Sequence, residues 1–130
     1  MLGVFSRILN PHRNTGSSAP RSTVYTSQSY AAEVGPVVYY ANTDNHSADN
    51  EFQFHYKKVN GSWRAYIIRM PSLNGRSDES HIIHRYIDND SYYVCWDRPV
   101  NSLVDMQNVS RVWADHITEY IATGKRFGPQ

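Results

Sequence analysis

Apolar and polar residues alternate through the middle of the chain with the period of a β-strand. Residues 52–56 read Phe-Gln-Phe-His-Tyr, which is typical of a strand that buries one face. Asn60-Gly61 follows and predicts a tight hairpin, because both turn residues accept a positive φ. Residues 63–69 are the predicted returning strand, and the apolar residues 37–41 are a predicted short strand in front of the hairpin.

A second hairpin is predicted between residues 81 and 96. Residues 81–87 form its first strand, Asp88-Asn89-Asp90-Ser91 its turn and residues 92–96 its second strand. Both strands carry apolar residues on both faces, which favours interior positions in the sheet. The polar stretch 72–80, which contains Asn74-Gly75, is predicted to be a loop between the two hairpins.

The end of the chain carries the pattern of one long amphipathic helix. Ser102 is a predicted N-cap with Asp105 in a capping-box arrangement, and Gly124 is a predicted left-handed C-cap. The apolar residues between the caps recur at spacings of three and four: Met106, Val109, Trp113, Ile117 and Tyr120. The sequence therefore predicts an α+β fold, a four- to five-stranded antiparallel meander with one long C-terminal helix, residues 103–123, packed on it.

The first third of the chain differs from the rest. Residues 10–36 are rich in Ser, Thr, Asn, Pro and Gly, and no acidic residue precedes Glu33. This composition predicts a flexible N-terminal tail over residues 1–36, in front of a single α+β domain over residues 37–130. An Arg- and Ser-rich, acid-poor segment also fits an organelle transit peptide, and the sequence leaves both interpretations open.

Charge and cysteine content exclude several classes of protein. The 130 residues carry 13 basic and 12 acidic side chains, which argues against a nucleic-acid partner bound by bulk charge. No apolar run reaches the ~20 residues of a membrane span, so no membrane partner is expected. A single cysteine excludes an internal disulfide and, without a signal-peptide core, favours a cytoplasmic location.

The sequence offers no motif for a metal or a cofactor. His81 and His84 stand three apart in a predicted strand, so they point to opposite faces. Asp88 and Asp90 flank a tight turn, where aspartate is expected for backbone reasons. Because no phosphate-binding loop or dinucleotide fingerprint occurs either, we predict neither a metal site nor a bound cofactor.

Cys95 is the remaining candidate for chemistry. Its neighbours in residues 92–96 are apolar and aromatic, so one interpretation is a buried, inert cysteine. The other is a nucleophilic thiol, since Cys95 precedes a helix N-terminus and Arg98, both of which lower the pKa of a thiol. His84 and Tyr86 lie on the partner strand of the same hairpin and would position or polarise a substrate.

The order of these elements resembles the ubiquitin-conjugating-enzyme fold. Residues 84–96, HRYIDNDSYYVCW, resemble the His-x-Tyr element, Asp-Gly turn and cysteine of bacterial ubiquitin-conjugating-like proteins from anti-phage defence operons. Residues 113–128, WADHITEYIATGKRFG, resemble the last helix of those proteins, so the resemblance covers about residues 52–128. It implies that Cys95 carries an acyl group as a thioester and passes it to an amine, with His84 and Tyr86 as the motif residues before it.

The chain also departs from that family. The usual N-terminal helix has no counterpart, His84 is followed by Arg85 and Tyr86 instead of Pro-Asn, and the connection over residues 96–101 is short. An inactive relative that only binds proteins is therefore one alternative. Another is a non-enzymatic interaction or inhibitor module, encoded on a bacterial mobile element, whose ten tyrosines form an adhesive surface. A protein partner is expected in each case, while catalysis and homo-oligomerisation stay open.

Overall fold

A five-stranded antiparallel sheet lies against one long helix in the computed structural model, which describes residues 32–127. The strands are β1 (Glu33–Tyr40), β2 (Glu51–Val59), β3 (Ser62–Arg69), β4 (Arg85–Asp88) and β5 (Ser91–Val94). The helices are α1 (Ser80–Ile83) and α2 (Leu103–Thr123). The predicted α+β class is confirmed. Within this part of the chain, neither helix combines the length and the apolar character that a membrane span needs.

The alternating residues of β2 form the centre of the core beneath α2. Phe52, Phe54 and Tyr56 are buried, and their polar neighbours lie on the opposite face of the sheet. The indole of Trp113 meets the rings of Phe52 and Phe54 edge-on, with centroid distances of 5.9 and 6.1 Å. The Tyr56 hydroxyl shares a hydrogen bond of 2.7 Å with the Ser110 hydroxyl on α2. The predicted strand pattern and the predicted apolar face of the helix are both confirmed.

Both ends of α2 are capped as the sequence predicts. The Ser102 hydroxyl accepts a hydrogen bond of 3.0 Å from the backbone N–H of Asp105. Gly124 takes a left-handed conformation with φ 80°, and its N–H donates to the Tyr120 carbonyl. These local signals place the helix at its predicted bounds, Leu103–Thr123.

The sheet begins earlier than the sequence predicts. β1 starts at Glu33 instead of residue 37, because Glu33 and Val34 pair with β2 across an irregularity that ends at Val37. Gly35 has a φ of 136°, and a Cβ there would lie 2.9 Å from a backbone oxygen of β2. Only glycine tolerates both conditions, so this bulge corrects the predicted end of the tail. The rest of that predicted tail, residues 1–31, lies outside the described residues.

The first strand of the predicted second hairpin is wrong over residues 81–83. These residues belong to α1, and His84 then turns the chain into β4 with a φ of 56°. A strand would send Ile82 and Ile83 to opposite faces, whereas the helical turn buries both. The Trp113 indole N–H donates to the Ile83 carbonyl over 2.8 Å and fastens this turn to α2.

The strand order also differs from a simple meander. The sheet runs β1-β2-β3-β5-β4, so β5 lies between β3 and β4. The apolar composition of β4 predicted an interior strand, but β4 lies at the edge of the sheet. Its composition was misleading because the apolar residues Tyr86 and Ile87 are exposed instead of being covered by a second layer.

Candidate functional site

Cys95 directly follows β5, at the start of the connection to α2. Its backbone N–H donates to the His84 carbonyl over 2.9 Å, which continues the hydrogen-bond pattern of β4 and β5 by one further pair. The residue is a free cysteine with 8% of its surface exposed. The thiol thus has a fixed position near the surface, almost wholly covered by its neighbours.

Tyr86 is the side chain that meets the thiol. A hydrogen bond with Cys95 raises the pKa of Tyr86, and negative charge on the sulfur adds to this effect. The phenol is 48% exposed, and its ring packs edge-on against Tyr93 at 5.9 Å. The structure therefore brings together two of the three predicted site residues. The phenolic O–H is placed to donate to a thiolate or to an oxygen bonded beside it.

His84 reaches Cys95 through its backbone carbonyl. Its imidazole stacks on the Phe127 ring at a centroid distance of 4.8 Å, and His116 approaches the same ring at 5.1 Å. Burial lowers the pKa of His84, and the nearby His81 and His116 lower it further. His84 thus anchors the base of the β4–β5 hairpin and the residues after α2, a role that the sequence did not indicate.

A groove of about 470 Å³ lies beside Tyr86 and the two chain neighbours of Cys95, Val94 and Trp96. Its wall combines aromatic rings with two arginines: Trp63, Arg64, Tyr86, Tyr93, Trp96 and Arg98. Arg98 forms an ion pair of 3.3 Å with the adjacent Asp97. The groove can therefore take an apolar or peptide-like chain next to Tyr86, with two arginines along part of its wall.

A layer of tyrosines and cations supports Tyr86 from the open face of the sheet, which is the face opposite α2. Tyr66 and Tyr93 pair across β3 and β5 with their rings 5.6 Å apart. The Arg64 guanidinium lies 4.2 Å above the Tyr93 ring and bonds the Asp88 carboxylate at 3.0 Å. Sequence reasoning missed this layer. Arg64 and Tyr66 stand two residues apart in a predicted strand and therefore share a face, which was a usable signal, and Tyr93 joins that face because it pairs with Tyr66.

The described residues contain no metal centre. Within residues 32–127, no three His, Cys, Asp or Glu side chains are grouped to hold an ion. His81 lies 3.4 Å from Glu79 at the surface, while the His84 imidazole is buried against Phe127.

Comparisons of the chain with protein-family models, with curated proteins and with solved structures found no match. The resemblance to ubiquitin-conjugating proteins accordingly rests on the sequence motifs alone. The position of Cys95 next to β4 and the groove beside Tyr86 are independent of that resemblance, since they are properties of the fold.

Proposed function

We propose that this domain carries an acyl group as a thioester on Cys95 and transfers it to an amine. The observation that carries the proposal is the position of Cys95, which extends the β4–β5 pairing by one residue and so lies diagonally across from Tyr86, a residue that lines the groove. A free cysteine with a hydrogen-bond donor beside it, close to space for a substrate chain, is the minimum arrangement that acyl transfer to sulfur requires.

The proposed reaction has two balanced steps. The Cys95 thiolate attacks the carbonyl carbon of an acyl thioester on a donor protein, a new C–S bond forms and the donor thiolate leaves. An amine then attacks the Cys95 thioester, the amide forms with loss of one proton to solvent, and Cys95 leaves as thiolate. In both steps negative charge develops on the acyl oxygen, and the Tyr86 hydroxyl is the donor available to stabilise it.

Acyl transfer requires access to a residue that is nearly buried. Cys95 is 8% exposed in the free protein, whereas Tyr86, its neighbour in the hairpin, lies on an edge strand and is half exposed. A change of rotamer at Tyr86 displaces no core residue and is the movement that the proposal requires. The Tyr86 ring is expected to flank the acyl group once the groove is filled.

The low exposure of Cys95 favours a second candidate, a non-catalytic module that binds proteins. In that case Cys95 is an inert residue of the hairpin, and the exposed tyrosines supply the contact area. The two candidates differ in one measurable property, which is whether the sulfur reacts while the protein is folded.

Acyl transfer from a small thioester tests the proposal. The folded protein is incubated with S-phenyl thioacetate, and intact-mass spectrometry follows the gain of one acetyl group. We expect acetylation of the native protein, none with Cys95→Ser, and roughly ten- to a hundredfold slower reaction with Tyr86→Phe, which lacks the donor. Tyr92→Phe, in the same hairpin, is the matched control and should react at the rate of the unmodified protein. Acetylation only after unfolding would reject the thioester function and favour the binding module.

A further inference from the structure

The outer edge of β4 has its backbone groups available for another strand. Within residues 32–127 β4 ends the sheet, and no strand lies beyond it. The hydrogen bond from the Cys95 N–H to the His84 carbonyl identifies residues 84 and 95 as a hydrogen-bonded pair. Hydrogen-bonded and non-hydrogen-bonded pairs alternate along an antiparallel hairpin, so 86–93 and 88–91 are hydrogen-bonded pairs as well. The N–H and C=O groups of Arg85 and Ile87 therefore point outward.

This edge also exposes apolar side chains. Ile87 is 59% exposed and Tyr92 39%, and a hollow of about 310 Å³ runs along them. β4 contains no proline and pairs with β5 without a bulge, whereas the opposite edge strand, β1, carries both Pro36 and a bulge. Proline, bulges, charged side chains and short length all protect an edge from unwanted pairing. β4 lacks the first two, although it has only four residues and carries Arg85 and Asp88.

Arg85 lines the same hollow, which Asp78 also lines, and has unmet hydrogen-bonding capacity. Its guanidinium lies 3.7 Å over the Tyr92 ring, and Nη1 contacts the Met70 sulfur at 3.4 Å. The Nε–H is buried and has no partner, and Arg85 forms no ion pair in the described part of the chain. By contrast, Arg64 and Arg69 each hold a carboxylate. An arginine without a carboxylate partner can accept an anionic ligand at its guanidinium.

We propose that the edge of β4 binds an extended peptide segment of a partner protein, which adds a sixth strand and places an acidic side chain on Arg85. The strand satisfies the outward backbone groups, its apolar residues cover Ile87 and Tyr92, and its carboxylate meets the guanidinium. The site does not use the sulfur of Cys95, so it stands or falls independently of the thioester function.

A second copy of the chain fits this edge less well. Antiparallel self-pairing through the outward groups would place Arg85 opposite Ile87 and Tyr86 opposite Tyr86. Such a dimer brings no carboxylate to Arg85. Charge complementarity therefore selects a peptide with an Asp or Glu over self-association.

Selection from a library of random twelve-residue displayed peptides tests the proposal on the full chain in reducing buffer. We expect enriched peptides that alternate apolar and polar residues and contain an Asp or Glu. Arg85→Gln should weaken their binding by at least about tenfold, because a charge-assisted hydrogen bond is lost. Arg111→Gln on the surface of α2 is the matched control and should leave the dissociation constant unchanged. Cys95→Ser should also bind normally, even if it abolishes acyl transfer.

Two further measurements keep the outcome clear if Arg85→Gln loses its fold. Ile87→Glu alters an exposed side chain and should repel the acidic peptide from a folded protein. N-methylation of those peptide amides that face β4 should abolish binding, while methylation of the alternate amides should not. The proposal is overturned if no peptide is enriched, if Arg85→Gln and Ile87→Glu bind as the unmodified protein does, or if both N-methylated forms bind equally.

Discussion

The two hairpins of the sheet each turn through an asparagine with a positive φ, but their strands differ in length and in burial. β2–β3 turns through Asn60 with a φ of 53°, and β4–β5 turns through Asn89 with a φ of 57°. The strands of the first hairpin have nine and eight residues, while those of the second have four each. The longer hairpin is the scaffold beneath α2, and the shorter one carries the thiol, the phenol and the open edge.

The difference in burial between the two hairpins explains their different roles. The β2–β3 hairpin buries most of one face under α2, so the side chains there are fixed by packing. The β4–β5 hairpin is held by β3 on one side and by the turn of α1, and its tyrosines keep part of their surface in solvent. A short edge hairpin on a rigid scaffold combines a defined position with freedom to move, which a reactive or binding site needs.

The largest expected effect falls on the scaffold. Trp113→Ala removes a side chain that is 1% exposed, together with two ring contacts and the bond to Ile83. We expect a loss of about 3–5 kcal/mol in the free energy of unfolding, measured by urea denaturation. Val104→Ala, an exposed change on the same helix, should shift it by less than about 0.5 kcal/mol. A loss below about 1 kcal/mol for Trp113→Ala would contradict the assignment of the core to this hairpin.

Two tyrosine-to-phenylalanine substitutions, one in each hairpin, compare how tightly the two hairpins are packed. Tyr56→Phe deletes a buried hydroxyl that bonds Ser110, while Tyr92→Phe deletes one at the surface. We expect a cost of about 1 kcal/mol for the first and close to zero for the second. Equal losses in the two denaturation curves would show that the shorter hairpin is as tightly packed as the longer one.

The pH dependence of stability is expected to reside at the base of the shorter hairpin. Burial lowers the pKa of both His84 and His116 below the ordinary value, so the unfolded chain binds protons more readily. Their contribution is therefore complete above about pH 6.5 and is lost as the pH falls through the folded-state pKa values. His84→Asn, which suits the left-handed backbone, should flatten the fall in stability between about pH 7.5 and pH 5.5. His46→Asn, at an exposed position between β1 and β2, should leave that fall unchanged.

The smallest effect is expected at the exposed edge. Ile87→Thr keeps a β-branched residue in β4 and removes only solvent-facing apolar surface. The free energy of unfolding should change by no more than about 0.5 kcal/mol. A larger loss would mean that Ile87 is covered in the full chain, and its accessibility to a partner would then be in question.

Local signals account for the parts of the fold that the sequence predicted. The alternation over residues 52–56, the Asn60-Gly61 turn and the caps of α2 each depend on residues within a few positions of one another. The proximity of Tyr86 and Cys95 was likewise expected, because a hairpin brings residues on its two strands together. What this proximity does chemically remains a prediction.

The remaining features depend on contacts between distant parts of the chain. α1 forms because Trp113, thirty positions away, binds the Ile83 carbonyl and holds that turn against the core. The imidazole of His84 turns toward Phe127 because a left-handed backbone redirects it, and no local pattern signals that conformation in a histidine. β5 lies between β3 and β4 because it pairs with both of them. The hydrophobic periodicity of a strand does not specify which other strands it pairs with.

That strand order has a consequence for the route by which the chain folds. β4 precedes β5 in the chain but touches the sheet only through it, so β4 has nothing to pair with until β5 is present. The two strands are joined by a two-residue turn, and closing such a hairpin takes only ~1–10 μs. Pairing β5 with β3 must close a much longer loop and is correspondingly slower. The hairpin is therefore expected to assemble first and to dock on the preformed scaffold as one unit, which makes its docking a late folding event.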